Sequence, residues 1–296
     1  MVLPNNYNLM RNLKIKSHCK INLFLKVVKK LDTGYHDIIS LITFCGLYDV
    51  ITISKIKEPR DKVSFSGNFK QGINLKYNTV TRVLSLLRKN KLIKNKNFRI
   101  NIKKNIPHGS GLGGGSSNAA YLLKNLNSKL HLNLTKKKIV KLARSIGFDV
   151  PISLEKKNTY LIGKGGSLLR IKKNFRLNLL VVYPNLIFST KEIYKKNRTM
   201  TRFKNYFPFI NKNKEKLINW LKNQNNDLEE AAIKLNPRIR QVINYIRSQK
   251  GCHFSRITGS GSACIGIFSN MKNAVYAKKL VKIKYPKYWV AVSKTI

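Results

Sequence analysis

The stretch Pro107-His108-Gly109-Ser110-Gly111-Leu112-Gly113-Gly114-Gly115-Ser116-Ser117 constrains this chain more than any other. Its five glycines stand between an alternating strand pattern, Phe98–Ile102, and a small-residue helical pattern, Ser116–Leu126. Glycine lets the main chain approach a ligand closely and turn several N–H groups toward it. The helix start behind it adds a partial positive charge suited to phosphate. A ligand-free flexible loop is the alternative, and the direct run into an ordered helix argues against it.

The loop is not one of the common nucleotide motifs. Gly109, Gly111 and Gly114 satisfy the dinucleotide spacing G-x-G-x-x-G, but that fold needs an acid about 20 residues on. No Asp or Glu occurs between Asp61 and Asp149. A P-loop needs Gly-Lys-Ser/Thr, and here Gly115 precedes Ser116. The H-R-D and D-F-G motifs of protein kinases are missing.

Along the rest of the chain, Val27-Val28, Val50–Ile53 and Val63–Phe65 read as strands and Thr79–Lys89 as a helix. Thr135 is a helix N-cap for Lys136–Ile146, which stops at Gly147. Strand patterns follow at Tyr160–Ile162, Leu168–Ile171 and Leu179–Val182, and beyond Tyr194 the pattern turns helical over Lys214–Leu221, Leu228–Leu235 and Pro237–Ser248. A second small-residue turn, Thr258–Ser262, lies between strands Phe254–Ile257 and Ala263–Phe268. Helix Lys272–Lys284 and strand Trp289–Val292 close the sequence. Strands and helices interleave without a steady β-α-β rhythm, which predicts an α+β fold in two parts, 1–165 and 166–296. Asn205–Lys214 and Asn223–Asn226 read as mobile loops.

The chain carries 59 Lys+Arg against 12 Asp+Glu, a net charge of +47. Such a balance points first to nucleic acid or a membrane surface. The basic residues are spread end to end, however, and no zinc-finger or RNA-recognition signature accompanies them. Abundant Lys, Asn and Ile, all with A/T-rich codons, make genome composition the simpler source, and a bacterial cytoplasm the expected place. No specific nucleic-acid partner and no membrane is expected, but the field attracts any polyanion, nucleotides included. Four cysteines without C-x-x-C spacing predict free thiols. No apolar run reaches the roughly 18 residues of a membrane span, and Met1–Lys16 has no apolar leader core. His18, His131 and His253 have no metal-like partners, so no protein metal site is expected. Monomer and homodimer both stay open.

Pro-x-x-x-Gly-Leu-Gly-Gly-Gly-Ser-Ser-Asn-Ala-Ala resembles the ATP-binding signature of the galactokinase, homoserine kinase, mevalonate kinase and phosphomevalonate kinase (GHMP) family. Lys20–Leu25, Asp32-Thr33-Gly34-Tyr35-His36, Gly147-Phe148-Asp149-Val150-Pro151, Asn226–Glu229 and Thr258–Cys264 resemble further blocks of it, in order. Thr33 is an insertion or a shift relative to the family's Asp-Gly-Tyr-His, and Phe148 replaces a small residue. Gly34-Tyr35-His36 is the mark of the branch that phosphorylates a cytidylated sugar alcohol in non-mevalonate isoprenoid synthesis. The resemblance implies a two-domain GHMP-kinase fold, with an N-terminal domain in which the glycine loop leads into a helix and a C-terminal α/β sandwich. It implies ATP as co-substrate, with Mg²⁺ accompanying it.

The resemblance also implies residue roles. Residues Pro107 to Ser117 would bind ATP, although His108 is incidental to the motif. Asp149 would be the base for the acceptor hydroxyl; by sequence alone it is equally a turn aspartate making local hydrogen bonds. Lys20, otherwise readable as an outward lysine on a strand, would stand beside Asp149 and favour a nascent alkoxide. Asn22 points to the same strand face as Lys20 and would contact the acceptor. Tyr35 would stack on cytosine, His36 would bond the base edge, and Tyr194 would complete the aromatic sandwich. A sister kinase for homoserine or mevalonate is the near alternative, and a basic RNA-binding protein without catalysis the distant one.

Overall fold

A computed structural model describes residues 12–32, 34–163, 166–202 and 213–296. Two compact units emerge, and neither is a contiguous stretch. The first takes residues 12–19, 47–108 and 113–155, and the second 20–46, 109–112 and 156–296. Two long paired strands, β1 (Leu13–Lys30) and β2 (His36–Ile56), each pass from one unit into the other.

In the first unit the latter part of β2 pairs antiparallel with β4 (Asn97–Lys103), placing Ile51 opposite Ile102 and Ile53 opposite Ile100. Strand β3 (Lys62–Ser66) runs parallel to β4, which requires a crossover, and α1 (Thr79–Lys89) lies in that connection. Period two puts Phe98, Ile100 and Ile102 on one face, all fully buried. Against them lie α1, α2 (Gly114–Lys129) and α3 (Lys136–Ile146). Val80, Val83, Leu84 and Leu87 form the buried stripe of α1 at helical spacing. Asn78 starts that helix by accepting from the Val80 and Thr81 N–H groups, and Thr81 reciprocates in a capping box. Thr135 caps α3 through the Lys138 N–H, and the helix ends at Gly147, as its sequence predicts.

In the second unit the first part of β2 pairs antiparallel with β5 (Thr159–Ile162), with Ser40 opposite Leu161, and β5 with β6 (Ser167–Arg170). A separate antiparallel sheet has the order β10 (Trp289–Lys294), β7 (Asn178–Tyr183), β9 (Cys264–Phe268), β8 (Cys252–Ile257). Its inner strands β7 and β9 are buried along their whole lengths. Helix α8 (Arg238–Arg247) packs on β8 and β9, and α9 (Met271–Lys284) on β7 and β10. Helices α6 (Lys214–Lys222) and α7 (Glu229–Leu235) fall where their patterns predict them.

Four expectations differ from the structure. Strands β1 and β2 run for 18 and 21 residues, far beyond the short strand patterns at Val27-Val28 and Val50–Ile53. The turn after Asp149 is a one-turn helix, α4 (Val150–Ser153), and Tyr194 lies inside a helix, α5 (Thr190–Lys196), rather than ahead of the helical region. The segment Asn223–Asn226 is tied down: Asn226 is buried, bridges to Leu25, and donates from Nδ2 to the Ile257 and Gly259 carbonyls. The other expected loop, Asn205–Lys214, lies outside the described residues up to 212, as do residues 1–11. Among the described residues no helix is long and apolar enough to cross a membrane.

Candidate active site

Five glycines leave the loop few side chains with which to hold its own shape, so much of its order comes from what grips its ends. On its N-terminal side a buried carboxylate does this. Asp49, fully buried near the middle of β2, accepts from the main-chain N–H groups of Asn105 (2.8 Å) and Ile106 (2.9 Å) through Oδ1. Its Oδ2 accepts from Asn118 Nδ2 at 3.0 Å and from the buried Lys104 ammonium. Asn118 sits on α2, so one carboxylate joins the strand entering the loop to the helix leaving it. A Cβ on Gly114 would lie 3.3 Å from Lys104 Nζ and 3.5 Å from Asp49 Oδ2, which shows how closely the helix start approaches this pair.

The N-cap of α2 is Gly113, in the left-handed region (φ +66°), with no side-chain cap bond. The first-turn N–H groups of a helix have no intrahelical acceptor, and here no capping side chain takes their place. That is the electrostatic arrangement of an anion site. Ser117 is fully buried, and its hydroxyl lies 3.1 Å from that of Ser153 on α4. The same contact ties the first turn of α2 to the element that begins at Asp149. Asp149 is half-buried at the N-cap of α4, yet its side chain makes no cap bond to that helix. Ser116 is half-buried, and the His108 ring bonds the Gln71 carbonyl at 2.8 Å.

Residues 109–112 belong to the second unit, where a second set of contacts fixes them. The Leu112 carbonyl accepts from the Lys20 N–H at 3.0 Å, and the Ser110 carbonyl from the Ala263 N–H at 3.0 Å. Gly111 (φ +81°) touches the second small-residue turn so closely that a Cβ would lie 2.3 Å from the Thr258 carbonyl. Two glycine-rich turns thus pack main chain against main chain, which only glycine permits.

Lys20 and Asn22 stand beside these turns. Lys20 is 5% exposed, so it is not an outward lysine on a strand. Its Nζ donates to Asn22 Oδ1 at 2.6 Å, and both atoms lie 3.4 Å from the position a Cβ would take on Gly259. The Asn22 N–H donates to Thr258 Oγ1 at 2.8 Å. Asn22 faces the same way as Lys20, as its two-residue spacing predicts, but its amide is engaged with protein on both sides.

Tyr35 is 65% exposed, beside a tight turn in which the Leu31 N–H donates to the Tyr35 carbonyl. Thr33 lies outside the described residues. The His36 and Tyr194 rings stack at 4.8 Å and 28°. Partial burial, with the nearby Lys30 charge, lowers the His36 pKa below the ordinary imidazole value. His36 is therefore neutral at pH 7, with one ring nitrogen donating and the other accepting. Among the described residues no three His, Cys, Asp or Glu side chains converge as a metal site.

Sequence reasoning passed over Asp49, Lys104 and Ser40, which shape this region. An acid at a strand position in a chain with only 12 of them was the available signal.

The profile of the GHMP kinases N terminal domain matches residues 78–157, and that of the GHMP kinases C terminal domain residues 209–286. The 4-diphosphocytidyl-2-C-methyl-D-erythritol kinase of Pelagibacter ubique (strain HTCC1062) is 36% identical over 97% of this chain and 100% of its own length. The chain belongs to the GHMP kinase family. A solved 4-(cytidine 5'-diphospho)-2C-methyl-D-erythritol kinase superposes with a TM-score of 0.77 at 25% identity, covering 96% of this chain and 99% of that one. Homoserine kinase from Cytophaga hutchinsonii shares the fold alone, with a TM-score of 0.67 at 13% identity, over 100% of this chain and 97% of that one. The two matched ranges take in the glycine loop and the Thr258–Ser262 turn.

Gly111→Ala tests the packing of the two turns. The added methyl meets the Thr258 carbonyl and forces an L-residue into the left-handed region, a strain of about 1–3 kcal/mol. The KM for ATP is expected to rise at least about tenfold, with a lower melting temperature; wild-type values for both would contradict the packing described.

Proposed function

We infer that this chain transfers the γ-phosphoryl group of ATP to the 2-hydroxyl of 4-diphosphocytidyl-2-C-methyl-D-erythritol, a step of the non-mevalonate isoprenoid route. The supporting observation is end-to-end similarity to kinases of that name, together with a glycine loop anchored at both ends and a buried Lys20–Asn22 pair against it. Four free cysteines agree with a reducing cytoplasm as its place of work.

Phosphoryl transfer needs the reacting oxygens in line, the phosphate charge offset and the hydroxyl proton accepted. In this reading the N–H groups of residues 113–116 hold the phosphates at the start of α2, the Ser117 N–H being taken by the Gly113 carbonyl. Mg²⁺ arrives with ATP as a counter-ion to the phosphates, as that ion does when few protein ligands are offered. Asp149 takes the proton as the acceptor oxygen forms its bond to the γ-phosphorus and the bond to ADP breaks. Its half-buried position, not spent on capping α4, suits a group that must meet a substrate hydroxyl. Lys20 supplies positive charge to the acceptor oxygen as it becomes anionic. Tyr35 offers its exposed ring face to cytosine. Neutral His36, held by its stack on Tyr194, offers a donor and an acceptor to the base edge.

A coupled assay with 4-diphosphocytidyl-2-C-methyl-D-erythritol, homoserine and mevalonate tests the acceptor. Turnover of the first alone is expected, and turnover of either other alcohol in its place would sink the assignment. In the same assay Asp149→Asn should lower kcat by about 10²–10⁴-fold with ATP affinity nearly unchanged; a near-wild-type rate removes Asp149 from the chemistry.

The lowered pKa of His36 sets a pH window. The neutral ring persists from about pH 8 down through the ordinary imidazole range near 6.5, and the accepting nitrogen is lost only below it. The KM for the cytidylated acceptor should therefore stay flat above about pH 6.5 and rise below, and His36→Gln should abolish the rise. A rise centred above pH 7, or one that persists in His36→Gln, would contradict this role.

A further inference from the structure

The catalytic lysine does not hold its own position. Lys20 Nζ donates to Asn22 Oδ1 (2.6 Å), Asn22 Nδ2 donates to Ser40 Oγ (2.8 Å), and Ser40 Oγ donates to the Phe24 carbonyl (2.5 Å). All three side chains are buried, at 5%, 3% and 0% exposure, so water does not compete for their hydrogen bonds. The direction of this chain is set from its far end. The Phe24 carbonyl can only accept, so the single hydroxyl hydrogen of Ser40 is committed to it. The Ser40 oxygen then has only lone pairs left to offer, and the end of the Asn22 amide facing it must be the NH₂ group. The amide is planar, so its oxygen is turned toward Lys20, whose ammonium has only donors. With the amide turned over, NH₂ would face NH₃⁺, donor against donor in a buried site.

We propose that Ser40 is a positioning residue for phosphoryl transfer: by fixing the orientation of the Asn22 amide, it holds the Lys20 ammonium against the Gly259 turn. Three neighbouring facts fit this role. The main chain of Asn22 is already fixed by the Thr258 hydroxyl, so the amide orientation is the degree of freedom still to be set. Ser40 lies on β2 in register with Leu161, which fixes its Cβ from the strand pairing on its other side. Gly259, lacking a Cβ, lets its turn pack closely against Lys20 Nζ, Asn22 Oδ1 and the Gly111 carbonyl, so a fixed ammonium has a fixed seat. Ser40 touches no substrate in this account and acts through Asn22 and Lys20.

The inference rests on the reading of Lys20 as the catalytic cation, and its test separates the two. Kinetics with ATP and 4-diphosphocytidyl-2-C-methyl-D-erythritol are measured for Lys20→Met, Ser40→Ala, and the matched pair Ser40→Thr and Ser40→Val. Lys20→Met should be inactive; if it turns over normally, the reading of Lys20 fails whatever Ser40 does. With Lys20→Met inactive, Ser40→Ala should lose at least about tenfold in kcat while the KM for ATP stays within about twofold. An unchanged kcat would overturn the role of Ser40 alone.

Thr and Val have nearly the same size, and only Thr keeps the hydroxyl. Retained kcat in Ser40→Thr with loss in Ser40→Val supports the proposal even if Ser40→Ala fails to fold. Equal kcat in that pair overturns it. A carboxylate has two equivalent oxygens and cannot be turned the wrong way. In the Asn22→Asp background, Ser40→Ala should accordingly cost less than about twofold, and an undiminished loss there would show Ser40 to be merely structural.

Discussion

The ion pair between Asp49 and Lys104 is the constraint on which the glycine loop depends. Both side chains are almost wholly buried, so each has lost its hydration. Such a pair contributes little over an apolar substitute, yet removing one partner leaves a bare buried charge at about 3–5 kcal/mol. What the pair supplies here is geometry. The same carboxylate collects two main-chain N–H groups at the loop entrance and an amide from α2 at its exit. A run of five glycines loses more conformational freedom on ordering than any other sequence. Rigid ends are how such a run comes to present its N–H groups in one arrangement.

The second unit applies the same economy of side chains. Leu112 and Ser110 are held through their carbonyls, and Gly111 lies against the Thr258–Ser262 turn with no room for a methyl group. That turn is itself held by Asn226, and Asn226 is followed by Asp227, a buried acid that accepts from the Val27 N–H and the Thr201 hydroxyl beside Lys26. In a chain with 59 basic and 12 acidic residues, the buried acids Asp49 and Asp227 each join main-chain segments. The remaining basic excess favours a polyanionic substrate at any orientation, so the charge aids encounter and the fixed main chain selects geometry.

The fold was legible wherever burial follows a simple period. Thr79–Lys89, Asn97–Lys103 and Lys136–Ile146 have clean apolar stripes and recognisable caps, and they form as predicted. The pattern broke down along β1 and β2, where Ser17, Lys20, Asn22, Ser40 and Thr43 interrupt the apolar alternation yet lie buried. Their partners come from residues up to 236 positions away, which no local period can show. For the same reason Asn223–Asn226 read as a loop of polar residues, although Asn226 is buried through its amide. Helix α5 buries only Ile193 and carries three lysines in seven residues, too little pattern to be seen. Of the site, the motifs marked the glycine loop, Lys20, Asn22 and the Tyr35-His36 pair, whereas Asp49, Lys104 and Ser40 became visible only through their hydrogen bonds.

The most direct test of the account is a crystal structure of the chain with a non-hydrolysable ATP analogue and 4-diphosphocytidyl-2-C-methyl-D-erythritol. Phosphate oxygens are predicted within hydrogen-bond distance of the N–H groups of residues 113–116, and an Asp149 oxygen about 3 Å from the acceptor hydroxyl. A triphosphate bound away from the loop, or an acceptor hydroxyl paired with some other group while Asp149 faces solvent, would contradict it.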